Sequence, residues 1–173
     1  MSSTPISPPP PGNLQRLLER LAGIATAIAA SALIGLVIVQ GWQVFARYVL
    51  NNSPSWTEPV TLLLLSTAMS MGAAAGVYTN RHFGFVLLAE AMKPTAKRVV
   101  DVAIPAIIAI IGGFLAYWSF VLLLDGLDVK MAGAALPQSI SFLPLSLGGL
   151  LMVVFALNRL LLAITARPAQ GAA

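Results

Sequence analysis

Four long apolar runs, separated by polar segments, dominate the pattern of hydrophobic and polar positions along the chain. In the first run no charged residue occurs from Leu21 to Val39, and at a rise of about 1.5 Å per residue this stretch is about 28 Å long. That length is close to the thickness of the hydrocarbon core of a bilayer. The pattern predicts an all-α membrane protein with four transmembrane helices, at about residues 21–44, 57–78, 102–124 and 142–164.

The segments between and beside these runs differ in length and composition. The longest lies between the second and third runs, where the apolar stretch Phe83–Met92 is too short to cross a bilayer and is flanked by basic residues. We expect this stretch to form a short helix in the plane of the membrane interface. Residues 1–15 are rich in proline and predict a disordered cytoplasmic tail. Residues 16–165 are expected to form the membrane domain, and residues 166–173 a second cytoplasmic tail.

The ten basic residues are distributed unevenly between the two sides of the predicted membrane domain. Arg47 and Lys130 fall on one side, and the other eight basic residues fall on the opposite side. Because the side with more Lys and Arg faces the cytoplasm, we expect both termini in the cytoplasm and the chain in a bacterial inner membrane. The basic residues occur in short connections, so the net charge of +4 does not indicate nucleic-acid binding. The residues on the cytoplasmic side are Arg16, Arg20, Arg81, Lys93, Lys97, Arg98, Arg159 and Arg167.

Composition excludes most membrane redox and metal chemistry. The chain has no cysteine, which removes disulfides, thiolate metal sites and iron–sulfur clusters. The single histidine, His82, cannot supply the paired axial ligands of a membrane cytochrome or, alone, a zinc site. No ionisable residue lies near the middle of a predicted span, whereas proton-driven pumps and exporters keep one there. We therefore expect no cofactor, no metal and no catalytic residue.

Small residues recur at helical spacing within the predicted spans. The first span has a small residue at every fourth position from Gly23 to Gly35, and the second contains the sequence GxxxG from Gly72 to Gly76. Such stripes allow helix backbones to approach closely in a membrane. The first expectation is packing within this bundle, and the alternative is packing against a partner chain.

Residues at the ends of the spans form a second group of candidates. Trp56 and Glu58 stand at the start of the second span, where tryptophan favours the membrane interface and the helix dipole favours an acid. We expect a membrane anchor in the first place, with partner binding as the alternative. With the two glycines of the GxxxG sequence, the candidate residues for a partner interface or a membrane anchor are Arg47, Tyr48, Trp56, Glu58, Gly72, Gly76, Arg81 and His82.

Three stretches of the sequence resemble a known family of membrane proteins. Phe45–Glu58 has an Arg-Tyr end to the first span and a Trp-x-Glu start to the second, and Met71–Gly84 is a Gly- and Ala-rich helix that ends in Arg-His. Leu136–Pro144 contains two prolines and leads into the last span, in which Gly148–Met152 follows. The order and spacing of these motifs over about residues 16–165 resemble the small membrane subunit, or Q component (DctQ-like), of the tripartite ATP-independent periplasmic (TRAP) transporters.

The resemblance implies a non-catalytic transporter subunit with two protein partners, a large membrane subunit (M component) and a periplasmic solute-binding protein (P component). In that family the binding protein captures a carboxylate-bearing solute, and the large subunit moves it with a sodium gradient. This chain would scaffold the large subunit among the membrane lipids and help to dock the binding protein. The family often has a second acid directly after the position of Glu58, where this chain has Pro59. A role for paired carboxylates is therefore not expected here.

Two other functions are compatible with a four-span chain. A small channel or exporter formed by oligomerisation would need a polar lining, whereas the predicted spans contain only scattered Ser, Thr and Gln. An interfacial membrane enzyme would need several His, Asp or Arg residues at the interface, and His82 with isolated acids gives little support. We rank both below a transporter subunit.

Overall fold

The computed structural model describes residues 12–52, 54–79, 94–133 and 137–165. Within these ranges there is no β-strand, and four helices are long and apolar enough to cross a membrane. The prediction of an all-α membrane protein with four spanning helices is therefore confirmed. The elements are α1 (Asn13–Tyr48), α2 (Thr57–Thr79), α3 (Pro94–Asp125), a 3₁₀ helix (Gln138–Phe142) and α4 (Leu143–Thr165).

Two predicted features fall wholly or partly outside the described residues. The interfacial helix at Phe83–Met92 lies in the range 80–93, and most of the two tails lies in the ranges 1–11 and 166–173. The helix and the tails stay predictions. Within the predicted N-terminal tail, α1 already begins at Asn13.

Backbone conformation explains how the chain turns between α1 and α2. The Asn52 N–H donates to the Ala46 carbonyl at 3.1 Å, and Asn51 has a φ of +50°. Asparagine adopts this left-handed conformation more readily than most residues. Pro59 is then the third residue of α2, where the backbone N–H has no partner within the helix in any case. The turn therefore reverses the chain without breaking a helical hydrogen bond.

The third helix begins earlier than its apolar run predicts. α3 starts at Pro94, so that Pro105 lies in the helix interior and not in the first turns of the span. An interior proline removes one N–H donor and crowds the carbonyl four residues earlier, but transmembrane helices tolerate it when neighbouring groups compensate. The added turns carry Lys97, Arg98 and Asp101, which are exposed. These polar turns extend the helix beyond the apolar run.

The four helices pack as an open layer. α2 and α4 pack against each other in the centre, α1 packs on α2, and α3 packs on α4. We call the end that carries residues 47–52, 54–57, 125–133 and 137–142 the loop end. The terminal end carries the start of α1, the end of α2, the start of α3 and the end of α4. The arrangement leaves α1 and α3 as outer helices, each with a large face that no described element covers.

The core lies towards the terminal end. Phe155 of α4 is fully buried, and its ring lies 5.3 Å from the ring of Tyr78 on α2. Leu18 and Ala22 of α1 join the same cluster. Further along α1 the buried residues are alanines at spacings of three and four, Ala25, Ala29 and Ala32.

The closest helix crossing in the layer joins α2 to α4 at Ser70 and Gly148. A Cβ atom added to Gly148 would lie 2.5 Å from the Ser70 Cβ and 2.9 Å from the Ser70 carbonyl carbon. The Ser70 hydroxyl donates to the carbonyl of Pro144 at 2.9 Å. Interhelical hydrogen bonds of this kind contribute about 0.6 kcal/mol each in membrane proteins. Glycine at 148 is thus required because the neighbouring backbone occupies the space of a side chain.

A second close crossing joins α3 to α4. A Cβ atom added to Gly149 would lie 2.7 Å from the Ala116 nitrogen, and one added to Gly112 would lie 3.1 Å from the Gly149 carbonyl oxygen. Gly148 and Gly149 together therefore place α4 against both of its neighbours. The centre of the layer is held by this glycine pair.

Candidate partner-binding surface

The α1–α2 turn meets the loop before α4 at the loop end. The Ser55 hydroxyl donates to the Gly133 carbonyl at 3.2 Å. Gly133 has a φ of +83°, a conformation that favours glycine, and a Cβ atom there would overlap the Ser55 carbonyl oxygen. This contact, which we call the Ser55–Gly133 clasp, joins residues far apart in the sequence.

The loop before α4 is held by its own backbone as well. The Gln138 N–H donates to the Val129 carbonyl at 2.8 Å, and the Ser139 N–H donates to the Gly126 carbonyl at 3.3 Å. Lys130 and Pro137 form an isolated antiparallel bridge. The loop end is therefore a folded cap in which the described segments have defined positions relative to α2 and α3.

Four of the predicted candidate residues lie on this cap and are exposed. Arg47 is in the last turn of α1, and Tyr48 follows it with 76% of its surface exposed. Trp56 is 44% exposed and Glu58 lies in the first turn of α2. The structure thus gathers them at one end of the layer, although no contact among them is seen within the described residues. Their roles as anchors or partner contacts stay predictions.

The charge of the loop end differs from that of the terminal end. The described acids at the loop end are Glu58, Asp125 and Asp128, and the bases there are Arg47 and Lys130. All five are exposed. At the terminal end, by contrast, bases outnumber acids among the described residues, since it carries Arg16, Arg20, Lys97, Arg98 and Arg159 with Glu19 and Asp101.

The two glycines of the GxxxG sequence behave differently. A Cβ atom added to Gly72 would lie 3.9 Å from the Ala29 Cβ, which is an ordinary contact with α1. A Cβ atom added to Gly76 would meet no atom of the described residues within 4 Å. Gly72 therefore belongs to the α1–α2 contact, whereas Gly76 is left open. Arg81 and His82 lie outside the described residues.

Sequence reasoning missed the structural role of Arg159. Its Nη1 atom donates to the carbonyl of Val77 at 3.1 Å. Val77 is in the last turn of α2, whose carbonyls have no partner within the helix, and a basic side chain stabilises that end of the helix dipole. In the sequence Arg159 counts only as one of several basic residues. Its position one turn beyond the buried Phe155 was the available signal.

Within the described ranges no group of three or more His, Cys, Asp or Glu side chains converges as a metal site would require. The buried polar side chains there are hydroxyls only, on Thr57, Ser70, Ser119 and Ser139. What the described part of the chain offers is therefore an exposed cap, two uncovered helix faces and closely packed crossings.

Comparison with known proteins identifies the family. Residues 36–166 match the sequence model of the tripartite ATP-independent periplasmic transporters, DctQ component. The chain belongs to the DctQ family. The match covers most of the chain and includes α2, α3, α4 and the loop-end cap. No curated protein was found to match the chain.

Membership of the DctQ family gives the described features their context. The chain is the small membrane subunit of a TRAP transporter, a multi-pass protein of the inner membrane that associates with other TRAP subunits. The DctQ component belongs to a transporter and the family is not an enzyme family.

The Ser55–Gly133 clasp gives a testable prediction for the DctQ cap. Gly133→Ala should release the loop, because an L-residue in the left-handed conformation costs about 1–2 kcal/mol and the new methyl group would displace the Ser55 carbonyl. Hydrogen exchange at the Gln138 and Ser139 amides is the measurement, and we expect it to be about tenfold faster or more. Gly41→Ala, on an open part of α1, is the matched control. Equal exchange in the two variants would mean that the clasp does not hold the loop.

Proposed function

We propose that this chain serves a sodium-driven TRAP transporter that takes up a carboxylate-bearing organic solute. In this proposal the chain scaffolds the large permease subunit, helps to dock the periplasmic binding protein and has no substrate site of its own. Membership of the DctQ family supports the subunit role. The sodium gradient, the carboxylate substrate and the docking role come from the resemblance of the motifs to that family.

The observation that carries the scaffold role is the extent of uncovered apolar surface. In the most apolar stretch of α3 only 11% of the residues are buried within the chain, and in that of α1 only 22%. Large aromatic side chains such as Phe114, Tyr117 and Trp118 are exposed on α3. A chain that buries so little of its spanning helices presents most of that surface to its surroundings in the membrane. Part of this surface is available for the large subunit.

The packing at the centre of the layer supports the absence of a substrate site. A carboxylate solute needs basic or polar groups to replace its water of hydration, since burying an uncompensated charge is very unfavourable. The buried polar side-chain atoms of the described residues are hydroxyls, on four buried residues and at Thr61 Oγ1, and α2 and α4 are in close contact where Ser70 meets Gly148. Solute recognition is thus assigned to the other subunits.

Charge supports the orientation and the docking role. The excess of basic residues at the terminal end favours the cytoplasm for that end and so supports a periplasmic position for the loop end. There the exposed Glu58, Asp125 and Asp128 would meet the binding protein, with Trp56 as an apolar contact beside them. Complementary charge at the rim of an interface raises the association rate more than it raises the affinity.

The scaffold role is tested by co-purification. A tagged form of this chain should retain the large subunit through size-exclusion chromatography in mild detergent, at one copy of each. The large subunit is to be expressed together with this chain, with an unrelated four-span protein carrying the same tag as the control. If the large subunit elutes separately under every detergent in which both remain folded, the scaffold role is wrong.

The docking role is tested by association kinetics. In the assembled complex, the triple variant Glu58→Gln, Asp125→Asn, Asp128→Asn should bind the periplasmic binding protein about tenfold more slowly, with a weaker dependence on salt. Asp101→Asn, at the terminal end, is the matched control and should have no effect. An unchanged association rate in the triple variant would contradict docking through the acids of the cap.

A further inference from the structure

Two arginines at the start of α1 lie on the face that points away from the other helices. Asn13, Arg16, Leu17 and Arg20 line a surface concavity of about 320 Å³. With about 100° of rotation per residue, these four positions fall within an arc of about 100°. Arg16 and Arg20 are one turn apart, so their Cβ atoms are about 5–6 Å from each other. Both side chains are exposed and can reach the same anion.

Packing among the described residues does not explain the arginine pair. Leu18, between them in sequence, is 3% exposed and faces the core, and Arg16 and Arg20 lie roughly opposite to it. The first turn of α1 contains no acidic residue, and cations are disfavoured at the positive end of the helix dipole. Arg16, at the end of the first turn, therefore costs some stability in the isolated helix, whereas Arg20 lies beyond the reach of the dipole. An anion outside the chain would offset that cost.

The surface beside the arginines is shaped for an acyl chain. Gly23, Ala27 and Ser31 follow Arg20 along the same side of α1 and are exposed. A Cβ atom added to Gly23 would meet no atom of the described residues within 4 Å. Small residues at these positions form a shallow furrow, and the exposed Ile24 and Ile28 border it. The furrow leads from the arginines towards the middle of the spanning region.

We propose that this site binds an anionic phospholipid, with the phosphate between Arg16 and Arg20 and one acyl chain along Gly23, Ala27 and Ser31. Arginine recognises phosphate with paired hydrogen bonds, and the apolar furrow distinguishes a lipid from a soluble phosphate. Glu19, which is exposed on the flank of the pair about 60° from Arg16, opposes the phosphate and limits the affinity. The site concerns the lipid that surrounds the subunit and does not depend on the transport cycle.

The full-length chain in nanodiscs tests the proposal. The discs contain phosphatidylcholine with a minor share of phosphatidylglycerol, and native mass spectrometry of the released protein counts the retained lipids. The wild-type chain should retain phosphatidylglycerol preferentially. Each basic side chain near an anionic lipid contributes roughly fivefold in affinity, so Arg16→Gln with Arg20→Gln should lower the preference about twentyfold. Arg98→Gln, an exposed arginine at the same end of the layer but on α3, should leave it unchanged, and Glu19→Gln should raise it.

Two further arms separate this lipid site from other occupants. Ala27→Phe should fill the furrow and lower retention of phosphatidylglycerol, whereas Ile38→Phe, further along α1, should not. Displacement of the lipid by millimolar inorganic phosphate would overturn the proposal, because the site would then recognise the phosphate alone. Loss of the retained lipid when the large subunit is bound would also overturn it, because this face would then be a protein interface. Equal retention of the two phospholipids by the wild-type chain would do the same.

Discussion

Gly148→Leu is expected to destabilise the chain by about 3 kcal/mol or more and to separate α2 from α4. Overpacking normally costs about 1–3 kcal/mol, because flexible side chains can move aside. Here the space is occupied by the Cβ and the backbone carbonyl of Ser70, at 2.5–2.9 Å from the position of the new Cβ. The Ser70–Pro144 hydrogen bond at the same crossing would be lost as well. The measurement is unfolding in detergent, followed by tryptophan fluorescence and circular dichroism.

Gly76→Leu is the matched control for this prediction. It makes the same change on α2, at a glycine whose added Cβ would meet no described atom within 4 Å. We expect the free energy of unfolding of the isolated Gly76→Leu chain to lie within about 0.5 kcal/mol of the wild-type value. Its expected defect appears only with the large subunit, as a lower yield of the complex. If the Gly148→Leu and Gly76→Leu variants have the same free energy of unfolding, the close crossing is not the contact that holds α2 to α4.

Arg159→Leu is expected to destabilise the chain by about 2 kcal/mol. The substitution keeps apolar contacts of the side chain but removes the charged donor to the Val77 carbonyl at the end of α2. Hydrogen bonds from charged donors contribute about 1.5–3 kcal/mol. The loss should appear first as faster hydrogen exchange in the last turn of α2. Arg159→Lys should restore part of the stability, because an ammonium group can also donate to a carbonyl.

Arg98→Leu controls for the loss of a positive charge at the same end. Arg98 is exposed on α3, and we expect its replacement to change the free energy of unfolding by less than about 0.5 kcal/mol. Equal stability of the Arg159→Leu and Arg98→Leu variants would show that the contact with Val77 does not stabilise the fold.

Hydropathy was enough to predict the four spanning helices, because an uninterrupted apolar run of bilayer length has few other stable conformations. The buried face of α1 could not be predicted in the same way. The stripe from Gly23 to Gly35 and the alanines at 22, 25, 29 and 32 are both small and both recur at helical spacing. In a soluble helix the polar face would tell them apart, whereas a spanning helix is apolar all round. The alanines are the buried set.

The same limit applies to glycine. The GxxxG sequence was the obvious packing motif, yet Gly76 is open and the closest crossings involve Gly148 and Gly149. A glycine contact depends on the partner backbone, which the local sequence does not specify. The Ser55–Gly133 clasp is a further example, since it joins two residues that are 78 positions apart in the sequence. By contrast, Trp56 and Glu58 could be placed on the cap from their position at a helix start.

The chain is a DctQ subunit, and we propose that it supplies shape and adhesion while solute recognition and movement belong to other chains. Buried hydroxyls without a buried charge, closely packed crossings and wide uncovered faces all agree with that division. All three features are observed in the described residues of this chain. Under this proposal, activity depends on assembly with the large subunit.

Uptake by proteoliposomes tests this division most directly. The solute is a labelled carboxylate that the cognate binding protein retains in a thermal-shift screen, and a sodium gradient is imposed across the membrane. Vesicles with this chain alone should show no uptake above that of empty vesicles, and uptake should appear when the large subunit and the binding protein are added. Sodium-dependent uptake by this chain alone would contradict the account.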